Sequence, residues 1–118
     1  MEFKFKKDID LDKRKEASLS LLRAQPKKVP IILEKDPNCK LEEIKKTRYL
    51  VLRAFTVNQF ISLIRHSIKI PEGDALFFSA KGKYGISGET TINEVYKKYK
   101  DKEDNFLYIM YTTEVIYG

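Results

Sequence analysis

The stretch from Thr56 to Gly73 constrains this chain more than any other. Thr56 followed three residues later by Gln59 spells a capping box, in which each residue's side chain satisfies the other's backbone amide at a helix start. Val57, Phe60, Ile61, Ile64 and Ile68 follow at helical spacing, and Pro71 with Gly73 ends the run. A helix with a broad apolar stripe has to bury it, and a sheet is the partner this sequence offers. Four short runs rich in β-branched and aromatic residues surround it: KVPIILEK between Pro26 and the DPN turn, RYLVLRA just before the helix, ALFFSA after it, and Phe106 to Ile116.

The remaining elements fit around these. Leu11, Lys15, Ser18 and Leu22 share one helical face, with Leu19 beside them; Asp8 or Asp10 caps the start and Pro26 closes the segment. CKLEEIKK reads as one helical turn. Gly82, Gly85 and Gly88 mark a turn region, and Thr91 with Glu94 forms a second capping box ahead of Ile92, Val95 and Tyr99. The order is helix, strand, strand, helix, strand, helix, strand; without its N-terminal helix, strand–strand–helix–strand–strand is the skeleton of a β-grasp, or ubiquitin-like, domain. The expected fold class is α+β: a mixed four-stranded sheet with two main helices, plus an N-terminal helical extension over residues 1–26 on a ubiquitin-like domain over 27–118. The first and last strands lie side by side in the centre, which leaves RYLVLRA at an edge.

With 118 residues the chain is long enough for one core and short of two. No apolar run approaches the ~20 residues that span a bilayer, and MEFKFKKDID lacks the apolar stretch of a signal peptide. One cysteine excludes an internal disulfide and fits a reducing compartment, so the expected location is the cytoplasm. The net charge of +6 favours acidic partners. No zinc spacing, phosphate-binding loop or RNA-binding signature accompanies the basic residues, so neither a metal, another cofactor nor a nucleic acid is expected. Enzymatic constellations are nearly absent. Cys39 and His66 form a dyad only if the fold joins them, and they read as a surface thiol and a solvated imidazole. Glu42/Glu43 and Glu103/Asp104 are flanked by lysines and read as solvated charges rather than tuned acids. The chain is expected not to be an enzyme.

Binding chemistry is better represented. An edge strand offers unpaired N–H and C=O groups to an extended peptide. The strand at Tyr49, Leu50, Val51 and Leu52 is apolar on both faces, with Lys45, Lys46 and Arg48 before it, which suits a ligand with apolar anchors and flanking acids. Since strands alternate faces, about half of those apolar residues are expected in the core. The chain ends on Gly118, which has no Cβ; its backbone can thread a narrow channel and its carbonyl is open to attack, as a C-terminus that is itself a substrate requires.

DKRK near the start, VPIILEKDP, KKTRYLV, QFISLIR, DALFF, LYIMY and the closing YG occur in order and essentially end to end. In these motifs the chain resembles the GABARAP and light-chain-three group of ubiquitin-like autophagy modifiers. The resemblance implies activation of Gly118 as an adenylate, transfer through thioesters on an activating and a conjugating enzyme, and attachment to phosphatidylethanolamine. It also implies a cysteine protease that processes and deconjugates the modifier, and a place on autophagosome and vesicle membranes when lipidated. It further implies cargo receptors that dock through an aromatic residue followed three positions later by an aliphatic one. One pocket would comprise Leu21, Pro30, Ile32, Leu50 and Phe106, with Lys46 and Arg48 at its rim. The other would comprise Tyr49, Val51, Leu52, Phe55, Phe60, Leu63 and Ile64. Where relatives often read Pro-Ser-Asp after the edge strand, this chain has Leu52, Arg53 and Ala54. A non-conjugated module that acts on tubulin or a trafficking protein through the N-terminal helix and edge strand is the alternative reading.

Overall fold

One mixed sheet organises the molecule in the computed structural model, which describes residues 3–115. The elements are α1 (Lys4–Asp8), α2 (Leu11–Ala24), β1 (Lys28–Lys35), β2 (Arg48–Leu52), α3 (Val57–Arg65), β3 (Asp74–Ala80), β4 (Tyr84–Gly85), α4 (Ile92–Tyr99) and β5 (Leu107–Val115). The strand order is β2-β1-β5-β3-β4. β1 and β5 run parallel in the centre and the other pairings are antiparallel. The expected β-grasp is found, with the first and last strands central and β2 at an edge.

Burial follows from this order. Val29, Ile31 and Leu33 of β1, with Leu107, Ile109 and Tyr111 of β5, pack on one face with Phe60 and Ile64 of α3 and Ile92 and Val95 of α4. Ile32, Phe106, Tyr108 and Met110 point to the opposite face, where Phe3 and Phe5 cover them. Central strands covered on both faces are apolar throughout, which is why VPIIL and FLYIMY show no polar alternation.

Both expected helix starts are present. Thr56 accepts from Gln59 N–H at 3.2 Å while Gln59 accepts from Thr56 N–H at 2.8 Å. Thr91 accepts from Glu94 N–H at 3.2 Å, but the Glu94 carboxylate takes the Thr91 hydroxyl rather than its amide.

Four expectations need correction. The sheet has a fifth, two-residue strand, β4, because Lys81 (φ 58°) and Gly82 (φ 72°) are successively left-handed and reverse the chain onto β3. The N-terminal extension is two helices, broken at Ile9 and Asp10, both extended; Asp10 caps the second by accepting from Lys13 N–H at 3.0 Å. The third helix stops at Arg65, so Ile68 packs on the core from the following turn. CKLEEIKK is not helical.

The inner face of α2 also differs from the expected stripe. Lys15 is exposed, whereas Ser18 is fully buried and Arg14 turns inward. Arg14 Nε donates to the Asp104 carboxylate at 2.8 Å, with the Asp104 side chain at 0% exposure. Asp104 also accepts from the Tyr108 hydroxyl and, at 2.9 Å, from Phe106 N–H. Ser18 donates to the Asp104 carbonyl at 2.5 Å. Asp104 is therefore the anchor of α2, not a solvated charge. Burial and the adjacent Asp104 carboxylate push the Tyr108 phenol well up, so it stays a neutral donor.

A second ion pair joins α1 to the segment before β5, Lys6 Nζ to Asp101 at 2.5 Å. Burial pushes the Asp101 carboxyl up, but the Lys6 ammonium and the amides of Asp104 and Glu103 outweigh it and hold it below the usual carboxylate range. A carboxyl depressed by folding stabilises the fold above its unfolded value of about 3.9, and that contribution disappears as pH falls through the folded value. Urea midpoints measured at pH 6 and at pH 3 should therefore fall less steeply in Asp101→Asn than in the wild type. Equal falls would show that Asp101 carries none of the acid sensitivity.

Candidate functional site

The open edge of β2 has a defined polarity. Leu33 N–H donates to the Thr47 carbonyl at 2.8 Å and Arg53 N–H donates to the Lys27 carbonyl at 2.9 Å. In this register Val29 faces Val51, Pro30 faces Leu50 and Ile31 faces Tyr49. Hydrogen-bonded and non-bonded pairs alternate along an antiparallel ladder. Tyr49 and Val51 accordingly turn their backbone groups toward β1, and Arg48 and Leu50 turn theirs to the open edge. Pro30, which has no N–H, occupies a position where none is needed.

Side-chain alternation separates the two expected residue groups. Tyr49 and Val51 lie on the α3 side of the sheet, and Arg48 and Leu50 on the side of α1 and α2. All seven residues of the second group, Tyr49, Val51, Leu52, Phe55, Phe60, Leu63 and Ile64, line one groove of about 1160 Å³ between β2 and α3. Val51, Phe60 and Ile64 are buried, whereas Leu52 and Leu63 stand 38% and 51% exposed. An edge-to-face series links the rim to the core: Tyr49 to Phe60 at 5.5 Å and Phe60 to Phe78 at 5.4 Å.

The groove extends further than expected because the loop after β1 folds over its end. Leu41, Ile44 and Ile68 line it as well. The Tyr111 hydroxyl holds this loop, donating to the Glu42 carbonyl at 3.0 Å and accepting from Ile44 N–H at 3.1 Å. Burial pushes the Tyr111 phenol up, which keeps the proton that the first of these bonds uses. CKLEEIKK is expected to form one helical turn; here the loop buries Ile44 and half-buries Leu41 without one. Lys28, Lys40, Lys45, Lys46 and Lys69 border the groove against Glu42 and Glu43, a cationic rim. Lys46 lies 4.7 Å from the Tyr49 ring, at this groove rather than beside the first group.

Of the first group, Ile32 and Phe106 share a buried cluster with Phe5, Pro30 faces Leu50 across the β1–β2 ladder, and Leu50 also lines the groove between β2 and α3. Pro30, Ile32 and Phe106 are buried, Leu21 and Leu50 half-buried, and Arg48 exposed. Phe5 of α1, 6% exposed, packs edge-on against Phe106 at 5.0 Å in the cluster that contains Ile32. The Arg48 guanidinium lies 4.8 Å from the Phe5 ring centre. Smaller cavities of about 400 and 320 Å³ flank this pair; Phe5, Asp8, Ile9 and Arg48 line both. Sequence reasoning overlooked Phe5 and Ile9; the alternation of phenylalanine and lysine in FKFKK was the available signal.

Of the other residues singled out, Cys39 is not a surface thiol: it is 6% exposed in the main core cluster, because Asp36 turns the chain inward by accepting from Cys39 N–H at 2.9 Å. His66 is exposed at the end of α3. Gly118 lies outside the described residues. Among the described residues no helix is long and apolar enough to cross a membrane.

A family model described as "Autophagy protein Atg8 ubiquitin like" matches residues 13–118. Among solved structures, the fold is similar to the crystal structure of Trypanosoma brucei ATG8, with a TM-score of 0.90 and 29% sequence identity over 100% of both chains.

Proposed function

The chain belongs to the Atg8 family of ubiquitin-like autophagy proteins, and from that membership we propose that it is a GABARAP or light-chain-three type modifier. In this reading Gly118 is conjugated to phosphatidylethanolamine and the folded domain acts as an adaptor for cargo receptors. The observation that carries the adaptor role is the outward-turned backbone of Arg48 and Leu50 beside an apolar groove with a cationic rim. An extended peptide would add to β2 through those backbone groups, its acidic residues would meet the lysines, and an aliphatic anchor would enter the groove between β2 and α3. The aromatic anchor would use the Leu21, Pro30, Ile32, Leu50 and Phe106 site on the other side of the strand. Burying each anchor is worth about 1.5–3 kcal/mol; after the cost of ordering the peptide, the association is modest and reversible.

Conjugation would proceed by adenylation of the Gly118 carboxylate and transfer of the acyl group to enzyme cysteines. The phosphatidylethanolamine amine then displaces the thiolate and forms an amide. A lipid with two acyl chains gives stable anchoring where one chain does not, and each basic residue near an anionic surface adds about 1 kcal/mol. Deleting Gly118 should abolish membrane attachment in cells and the lipid-dependent gel shift with activating enzyme, conjugating enzyme, ATP and lipid. A shift that persists without the glycine would remove the conjugation reading. Calorimetry with an acidic aromatic-x-x-aliphatic peptide tests the adaptor reading, and absence of heat at high micromolar peptide would overturn it.

A further inference from the structure

We propose that α1 is a displaceable plug: Phe5 occupies the place of the ligand's aromatic anchor, so that peptide docking and release of α1 are coupled. This rests on the adaptor reading above and specifies how that site is regulated. Phe5 is an aromatic ring already seated over Ile32 and Phe106, two residues of the first pocket. Arg48, at that pocket's rim, is spent on the Phe5 ring, in the position a cation would take over a ligand's ring. Phe5 and Arg48, with Asp8 and Ile9, line both cavities, so release of α1 would take Phe5, Asp8 and Ile9 from their shared wall.

The plug is held by contacts suited to release. α1 has five residues, too short to persist as a helix without its contacts to the sheet. The Glu34 carboxylate accepts from Lys4 N–H at 2.8 Å and Phe5 N–H at 3.0 Å, and Lys6 pairs with Asp101. The Lys4 bond is exposed and the other two are part-buried, with the Lys6 and Asp101 side chains 34% and 14% exposed. The Arg14–Asp104 pair anchors α2. Arg14 also donates to the Lys6 carbonyl at 3.3 Å and the Ile9 carbonyl at 2.6 Å, so release of α1 breaks the Lys6 contact while the Asp104 pair keeps α2 in place. A ligand that binds only the open form has its apparent affinity reduced by the fraction of molecules that are open, and a change that opens the site raises that affinity.

The test is calorimetry of the same acidic aromatic-x-x-aliphatic peptide against the wild type, Phe5→Ala and Lys6→Ala, with amide exchange of Lys4 and Phe5 followed by NMR. Lys6→Ala weakens the latch from outside the pocket and covers the case in which Phe5→Ala fails to fold. Both variants should bind the peptide about fivefold more tightly or better, and peptide should accelerate exchange of the Lys4 and Phe5 amides in the wild type. Binding to the wild type with unchanged or weaker affinity in the variants, or with Lys4 and Phe5 still protected, overturns the plug and leaves the adaptor site intact. No binding to any of the three chains overturns the adaptor site, and the plug with it.

Discussion

Replacing Arg14 by alanine should cost about 3–5 kcal/mol of folding stability, the range for stripping the partner from a buried ion pair. The substitution leaves the Asp104 carboxylate at 0% exposure with no counter-ion. It also removes the donors that Arg14 extends to the Ile9 carbonyl at 2.6 Å and the Lys6 carbonyl at 3.3 Å, which fix the junction between α1 and α2. Tyr108 and Phe106 N–H would still donate to Asp104, but both are neutral and compensate only in part. The urea midpoint should fall by roughly 2 M. Adding Asp104→Asn to Arg14→Ala removes the stranded charge and should recover part of the loss, a coupling that a double-mutant cycle reads directly. A loss below about 1 kcal/mol in the single variant would show that water reaches this pair and that α2 is held by other contacts.

Leu63→Glu should lower affinity for an acidic aromatic-x-x-aliphatic peptide by about 10- to 100-fold while leaving the unfolding midpoint nearly unchanged. Leu63 lines the groove yet is 51% exposed, so its loss removes contact area for a ligand and little from the core. Burial of one aliphatic anchor is worth about 1.5–3 kcal/mol, which corresponds to that range of affinity. The new carboxylate also opposes the acids that the lysine rim attracts. Its effect should therefore shrink as salt rises, while the loss of apolar contact remains. Full affinity in a folded Leu63→Glu would place the aliphatic anchor elsewhere.

The groove and the buried pair were unequally legible in the chain. Val57, Phe60, Ile64, Tyr49 and Val51 announce themselves through helical and strand periodicity, because periodicity is set by backbone geometry that every helix and strand shares. The resemblance of ordered motifs then grouped Phe60, Ile64, Tyr49 and Val51 with Leu52, Phe55 and Leu63, and all seven line the groove, whereas Val57 is fully buried in the core. Asp104 sits in a run, DKEDN, that reads as solvated, and nothing within that run tells it from Glu103. Its burial arises because α2, ninety positions earlier in the chain, brings Arg14 and Ser18 over it. Cys39 and the turn at CKLEEIKK were misjudged for a similar reason: the chain turns inward at Asp36, and Tyr111, from a distant strand, holds the loop at Glu42 and Ile44. Phe5 was overlooked because the alternation in FKFKK is too short to say which surface its two rings cover.

What the sequence determined by itself was local. The helix starts at Thr56 and Thr91, the break at Pro26 and the apolar continuity of the central strands all follow from residues within a few positions of each other. Only the tertiary structure decided which charges are buried, where the groove ends, that β2 turns the backbone of Arg48 and Leu50 outward, and that Phe5 of α1 packs on Ile32 and Phe106. Each of these depends on contacts between segments distant in the chain, whose energies belong to pairs of residues and cannot be read from either member alone.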